Sequence, residues 1–218
     1  MSACEDRTLP VVGTQEPLAS FRATLDLAAK HERLTFLCSF QKEESVILPA
    51  LLEIKPDVRV VTIDTGVLFP ETLATWRAYE ERFDVHIEVV DASGPANGEA
   101  PWTGVDHCCS AGAKVRALEV ALADCDAWVT GVRREQGSTR AATECVEWDV
   151  KRDVMKFNPL AFWDEKDLWR RIHAYSLPSH PLHDQGYESI GCATCTLPGS
   201  GREGRWAGTD KSECGLHV

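Results

Sequence analysis

The segment "KSECGLHV" closes the chain, with Lys211 three residues before Cys214 and His217 three residues after it. At that helical spacing two cations flank one thiol. Such neighbours lower a thiol's pKa and favour the thiolate, which is the nucleophilic form. Glu213 works against them unless it points away. Terminal segments are the least tied-down parts of a domain, so a cysteine there suits a thiol that has to move better than one that packs. A second sulfur constellation comprises the adjacent Cys108 and Cys109 together with Cys192 and Cys195 of "GCATC". Two close pairs suggest one shared metal centre, with burial as core cysteines the plainer alternative. The second pair has the spacing of structural zinc ligands. The first does not: vicinal cysteines project in different directions and reach two corners of an inorganic cube more readily than one tetrahedral ion. A [4Fe–4S] cluster is therefore favoured over zinc. Cys4, Cys38, Cys125 and Cys145 read as structural.

Groups able to hold an anion form a third set. Ser39, Phe40 and Gln41 of "SFQKEES" follow a strand and open a helix, where backbone N–H groups and the helix dipole favour negative charge. The stretch has no glycine-rich phosphate loop. Glu43 and Glu44 would repel a phosphate if they faced it, or complement the helix N-terminus if they did not. "DTG" offers Asp64 as an acceptor for a ribose or adenine edge, with Thr65 and Gly66 in the turn. "GVRREQGSTRA" brings Arg133, Arg134, Gln136 and Arg140 just past a strand end, and "GREGRW" adds Arg202 and Arg205. Guanidinium groups so gathered grip phosphate or sulfate oxygens bidentately. With a net charge of −11, the chain is unsuited to nonspecific nucleic-acid binding, so these arginines create a local exception.

These residues need a frame. Strands are expected at 33–40, 58–64, 85–92 and 127–132, with a fifth at "CVEWDV". Helices are expected at "SVILPALLEIK", ended by Pro56, at "PETLATWRAYEERF", opened by Pro70, at 108–123 and at "WDEKDLWRRIHAYSL". Alternation of this kind predicts an α/β fold, a parallel sheet flanked by helices with ligands beyond the strands' carboxyl ends. At 218 residues one domain is expected. Its parts are an N-terminal helical segment (1–32), an α/β nucleotide-binding core (33–177) and an irregular, mobile tail (178–218) that carries cluster-binding and catalytic cysteines. The N-terminus lacks an apolar secretory core and no run is long enough to span a membrane, so a reducing cytoplasm is expected.

Taken in order, "CSFQKEES", "TIDTGVLFPET", "HCC", "VTGVRREQGSTRA", "KFNPLAFW", "HPLHDQGYESIGCATCT", "GREGRW" and "KSECGLH" resemble the assimilatory adenylyl-sulfate reductases, relatives of the phosphoadenylyl-sulfate reductases. The likeness runs from about residue 36 to the end. It implies an adenine nucleotide α-hydrolase-like fold with a modified PP-loop, and a [4Fe–4S] cluster on Cys108, Cys109, Cys192 and Cys195. It also implies reduction of adenosine 5′-phosphosulfate to sulfite and AMP through an S-sulfocysteine at Cys214. No second thiol lies near Cys214 in a C-x-x-C arrangement, so thioredoxin or glutaredoxin is expected as reductant. Two departures stand out: Gln41 occupies a common glycine position, and Lys114 follows Cys109 by five residues where the family has four. The 3′-phosphorylated substrate, a PP-loop ATP pyrophosphatase and a non-catalytic metal sensor are the rival readings, and a homo-oligomer is left open.

Overall fold

The computed structural model describes residues 9–93, 112–206, 213 and 216. Among these, six strands form one sheet: β1 (Leu34–Leu37), β2 (Arg59–Asp64), β3 (Ile87–Asp91), β4 (Ala127–Val129), β5 (Val146–Asp149) and β6 (Val154–Phe157). Their order is β3-β2-β1-β4-β6-β5, parallel throughout except that β5 runs antiparallel to β6. The first four strands lie where apolar runs predicted them. "CVEWDV" is a strand too, but it is the antiparallel edge of a hairpin rather than another parallel strand. Its partner β6 escaped the sequence reading because Lys156 interrupts its apolar pattern. The ammonium of Lys156 is neutralised across the hairpin by Glu147 at 3.0 Å and lies 5.8 Å from the ring centre of Trp128.

Among the described residues five α-helices flank the sheet: α1 (Pro17–Ala28), α2 (Lys42–Ile54), α3 (Pro70–Phe83), α4 (Ala113–Leu122) and α5 (Glu165–Ala174). α3 opens on Pro70, whose missing N–H costs nothing in a first turn. α2 begins at Lys42, ahead of the expected Ser45, and continues through Pro49. Lys55 ends it with φ −133° and ψ 81°, outside the helical region that the residue before Pro56 avoids. One apolar core contains Phe21, Phe36, Ile47, Leu48, Leu51 and Phe157; a second contains Leu118, Trp128, Cys192, Cys195, Trp206 and Leu216. The second core thus draws on residues beyond Pro178. There the described chain forms 3-10 turns at Pro181–Gln185 and Ala193–Cys195 and isolated bridges, and it lies over the sheet rim. No helix among the described residues is long and apolar enough to cross a membrane.

Candidate active site

A cavity of about 370 Å³ opens beyond the carboxyl ends of β1 and β4, within the size range of small-ligand sites. The loop after β1 forms one wall. Phe40 there has φ +63°, a left-handed conformation that bulky residues rarely adopt. Packing fixes it: its buried ring stacks on Trp76 at 5.4 Å and meets the edge of Tyr79 at 5.6 Å. Gln41 caps α2, and its side-chain oxygen accepts a 2.9 Å hydrogen bond from Ile190 N–H. A glycine there could not make this bond, which ties the loop to the C-terminal segment. Ser39 donates to Glu44 Oε1 at 3.2 Å, and Gln41 N–H donates to Glu44 Oε2 at 2.9 Å.

The first turn of α2 is charged yet buried, which patterning does not suggest. Lys42 Nζ meets Glu165 Oε1 at 2.6 Å and donates to the carbonyl of Glu188 at 3.0 Å. Burial alone would raise the pKa of Glu43, but Arg133 and Lys42 hold it below its ordinary range. Among the described residues no cation pairs with Glu44. Burial, then the charge of Glu43, pushes it up to about 8, so it is protonated at neutral pH and adds no negative charge to the cavity wall.

The arginines separate by partner. Arg133 is buried among carboxylates, bonded to Glu43 at 2.9 Å, Glu135 at 2.8 Å and Glu165 at 3.0 Å. It lines the cavity, but its charge is already matched by these partners. Arg134 lies outside the cavity lining: it pairs with Glu144 at 2.6 Å and sits 4.5 Å from the ring centre of Phe162. Gln136 lies on the wall, accepting from Arg140 Nη1 at 2.6 Å. Arg140 and Arg202 also line the cavity, and both bond to Glu213. Arg205 donates to Ile190 O at 3.2 Å and Ser189 Oγ at 3.3 Å, while its buried Nε has no partner among the described residues. Its guanidinium lies against Gly191, where any Cβ would collide with it, and 4.5 Å from the ring centre of Trp206.

Asp64, Thr65 and Gly66 do not line the cavity, although Thr62, Ile63 and Leu68 nearby do. Asp64 Oδ1 accepts from Gly66 N–H at 2.8 Å, closing a local turn in which Gly66 has φ +69°. Thr65 is fully buried with its hydroxyl 3.2 Å from Cys192 Sγ. Cys192 and Cys195 are both buried, set on a 3-10 turn in which Cys195 N–H donates to Cys192 O at 3.1 Å. Two further backbone bonds, Trp206 N–H to Cys195 O and Leu197 N–H to Gly204 O, each 2.8 Å, fasten this turn to the Arg205 loop. Cys108, Cys109, Lys211, Cys214 and His217 lie outside the described residues. Among the described residues no group of three or more metal-donor side chains is assembled. A buried C-x-x-C turn nevertheless suits half of a four-thiolate site.

Three residues on this wall, Lys42, Glu165 and Leu216, went unmarked in the sequence, and Glu213, bonded to Arg140 and Arg202 of the lining, was given no binding role. Only burial and long-range pairing single them out. Lys114, whose spacing departs from the resembled family, lines the cavity as well.

Comparison with known proteins adds three observations. Residues 33–198 match the phosphoadenosine phosphosulfate reductase domain. The chain is 41% identical over 184 residues to the adenosine 5′-phosphosulfate reductase of Salinibacter ruber, covering 79% of this chain and 73% of that protein. Its fold resembles the phosphoadenylyl-sulfate reductase of Candida auris, solved as a phosphate complex, with a TM-score of 0.70, 24% identity and coverage of 84% of this chain and 94% of that one.

Proposed function

The chain belongs to the phosphoadenosine phosphosulfate reductase domain family, and from that premise we propose that it reduces adenosine 5′-phosphosulfate to sulfite and AMP through a sulfonated cysteine. One observation carries the assignment. Arg140, Arg202 and Arg205 line a cavity at the sheet rim, and the residue preceding Cys214 in sequence is bonded to the first two.

In this mechanism the arginines receive the oxyanions of the nucleotide, and the protonated Glu44 keeps that wall from repelling them. Ile63, Leu68 and Leu216 supply apolar surface alongside. The Cys214 thiolate attacks the substrate's sulfur. A sulfur–sulfur bond forms, the bond from sulfur to the phosphate oxygen breaks, and AMP leaves with that electron pair. Guanidinium groups stabilise the charge that develops on the departing phosphate. Lys211 and His217 lower the pKa of the thiol. A thiolate of an external dithiol protein, thioredoxin or glutaredoxin, then attacks Cys214 Sγ and releases sulfite. Its second thiol resolves the mixed disulfide, so the dithiol gives up two electrons and Cys214 is regenerated.

Cys108, Cys109, Cys192 and Cys195 are the residues that would hold a [4Fe–4S] cluster, which when bound would supply a rigid anchor and a fixed charge. Residues 33–177 then act as the nucleotide-binding core and 178–218 as the thiol-bearing segment. A reducing cytoplasm fits an enzyme that depends on free thiols. The test is to mix enzyme with substrate and no dithiol, digest it, and map the sulfonate by mass spectrometry. The adduct is expected on the peptide containing Cys214. AMP release with the adduct on another residue, or with no adduct, overturns the mechanism.

A further inference from the structure

The carboxylate of Glu213 accepts four hydrogen bonds. Arg140 donates through Nε at 2.9 Å and Nη2 at 3.0 Å, Arg202 through Nη2 at 2.9 Å, and Thr139 through its hydroxyl at 3.2 Å. These donors come from the segment after β4 and from the Gly-rich loop near the end of the chain. The Glu213 side chain is only 8% exposed. Burial would raise its pKa, but the two guanidinium groups hold it low, so it stays ionised.

An Nε and Nη2 edge is the fork that takes two oxygens of a carboxylate, a phosphate or a sulfate, and it can serve only one such group at a time. Both arginines line the cavity. Two guanidinium groups of the cavity lining are thus already paired with an oxyanion of the chain itself, although Glu213 is not among the lining residues.

We infer that Glu213 is an internal competitor: its carboxylate occupies the oxyanion subsite between Arg140 and Arg202, and the substrate's sulfate or phosphate must displace it. This rests on the nucleotide-binding role proposed above. Displacement has a mechanical effect because Glu213 is bonded directly to Cys214. Adjacent Cα atoms are about 3.8 Å apart, so the exchange takes place one residue from the thiol-bearing position. Leu216, two residues on from Cys214, is 5% exposed in the apolar core that contains Cys192, Cys195 and Trp206. An oxyanion does not compete for that contact. In sequence, position 214 falls between the Glu213 contact, which an oxyanion can replace, and the Leu216 contact, which it cannot, so substrate is expected to release the segment at the first and not at the second.

Two measurements in the non-reacting C214S background test this. Calorimetric titration with adenosine 5′-phosphosulfate should show C214S/E213Q binding about tenfold more tightly than C214S, since a charge-assisted contact no longer competes. The substrate should also speed removal of the C-terminal residues of C214S by carboxypeptidase, whereas C214S/E213Q should be cut fast with or without it. The second readout separates displacement from mere relief of charge repulsion, which would not free the tail. Equal or weaker binding by E213Q, or a digestion rate of C214S that ignores the substrate, overturns the inference. Binding by neither protein removes the nucleotide-binding role along with it. A sulfonate mapped away from Cys214, with the affinity and digestion differences intact, defeats the proposed mechanism and spares the competitor.

Discussion

Replacing Arg133 with Met separates a structural arginine from a ligand-gripping one. The Arg133 side chain is 3% exposed, and its shortest-range buried partner, Glu43, is 4% exposed. The other carboxylates, Glu135 and Glu165, are 51% and 41% exposed and turn to water when the guanidinium is removed. Glu43 cannot. It would keep Gln136 Nε2 at 3.0 Å and the nearby charge of Lys42, but lose its ion pair. Removing one partner of a buried pair costs about 3–5 kcal/mol, whereas exposed pairs contribute about 0–1 kcal/mol. For a domain of this size about 1 kcal/mol moves Tm by roughly 2–4 °C, so a fall of about 10 °C is expected. The loss should depend on pH. Arg133 lowers the pKa of Glu43, and that stabilisation exists above the unfolded value of 4.5 and fades as pH falls through the folded one. The gap between wild type and variant should therefore narrow below about pH 4.5, as thermal melts followed by circular dichroism at neutral and acid pH would reveal. Below its Tm the variant should still bind AMP within a few fold. An unchanged Tm together with lost AMP binding would refute the reasoning and put Arg133 on the ligand.

Cys214→Ser should abolish sulfite release with thioredoxin while leaving AMP affinity unchanged, measured by coupled assay and titration. Affinity for AMP should drop between pH 7 and pH 9 as Glu44 ionises near 8, and Glu44→Gln should flatten that profile. The same protonation makes Glu44 stabilise the fold least at high pH: its pKa is raised, so stability declines as pH climbs from 4.5 towards 8. Anaerobically purified protein should be brown and contain about four irons and four sulfides per chain, as a cubane requires, and Cys192→Ser or Cys195→Ser should remove both.

Much of the frame was readable because its signals are local. β1, β2 and β4 are nearly unbroken apolar runs, and Pro70 marks its helix boundary. β6 and the start of α2 were not readable for one shared reason: Lys156, Lys42, Glu43 and Glu44 are charged residues buried by partners elsewhere in the sequence. A solvent-exposed face and a neutralised interior look alike in a one-dimensional pattern. The site behaved likewise. Arginine type and position past a strand end located the rim, yet Arg133 and Arg134 are adjacent and pair with different carboxylates, Glu43 and Glu144. Which of them faced the cavity depended on Glu43 and Glu144, not on either arginine. Glu213 seemed to oppose the neighbouring cations; instead it sits between two others.

The two backbone bonds that fasten the C-x-x-C turn to the Arg205 loop, with the guanidinium packed on Gly191, make the sulfurs and one wall of the cavity a single mechanical part. Whatever distorts that turn, whether oxidant or a side chain at position 191, shifts Arg205 and Trp206 as it goes. Given the proposed role of Arg205, damage at the thiols would register first as a slackened hold on nucleotide, long before the sheet gives way.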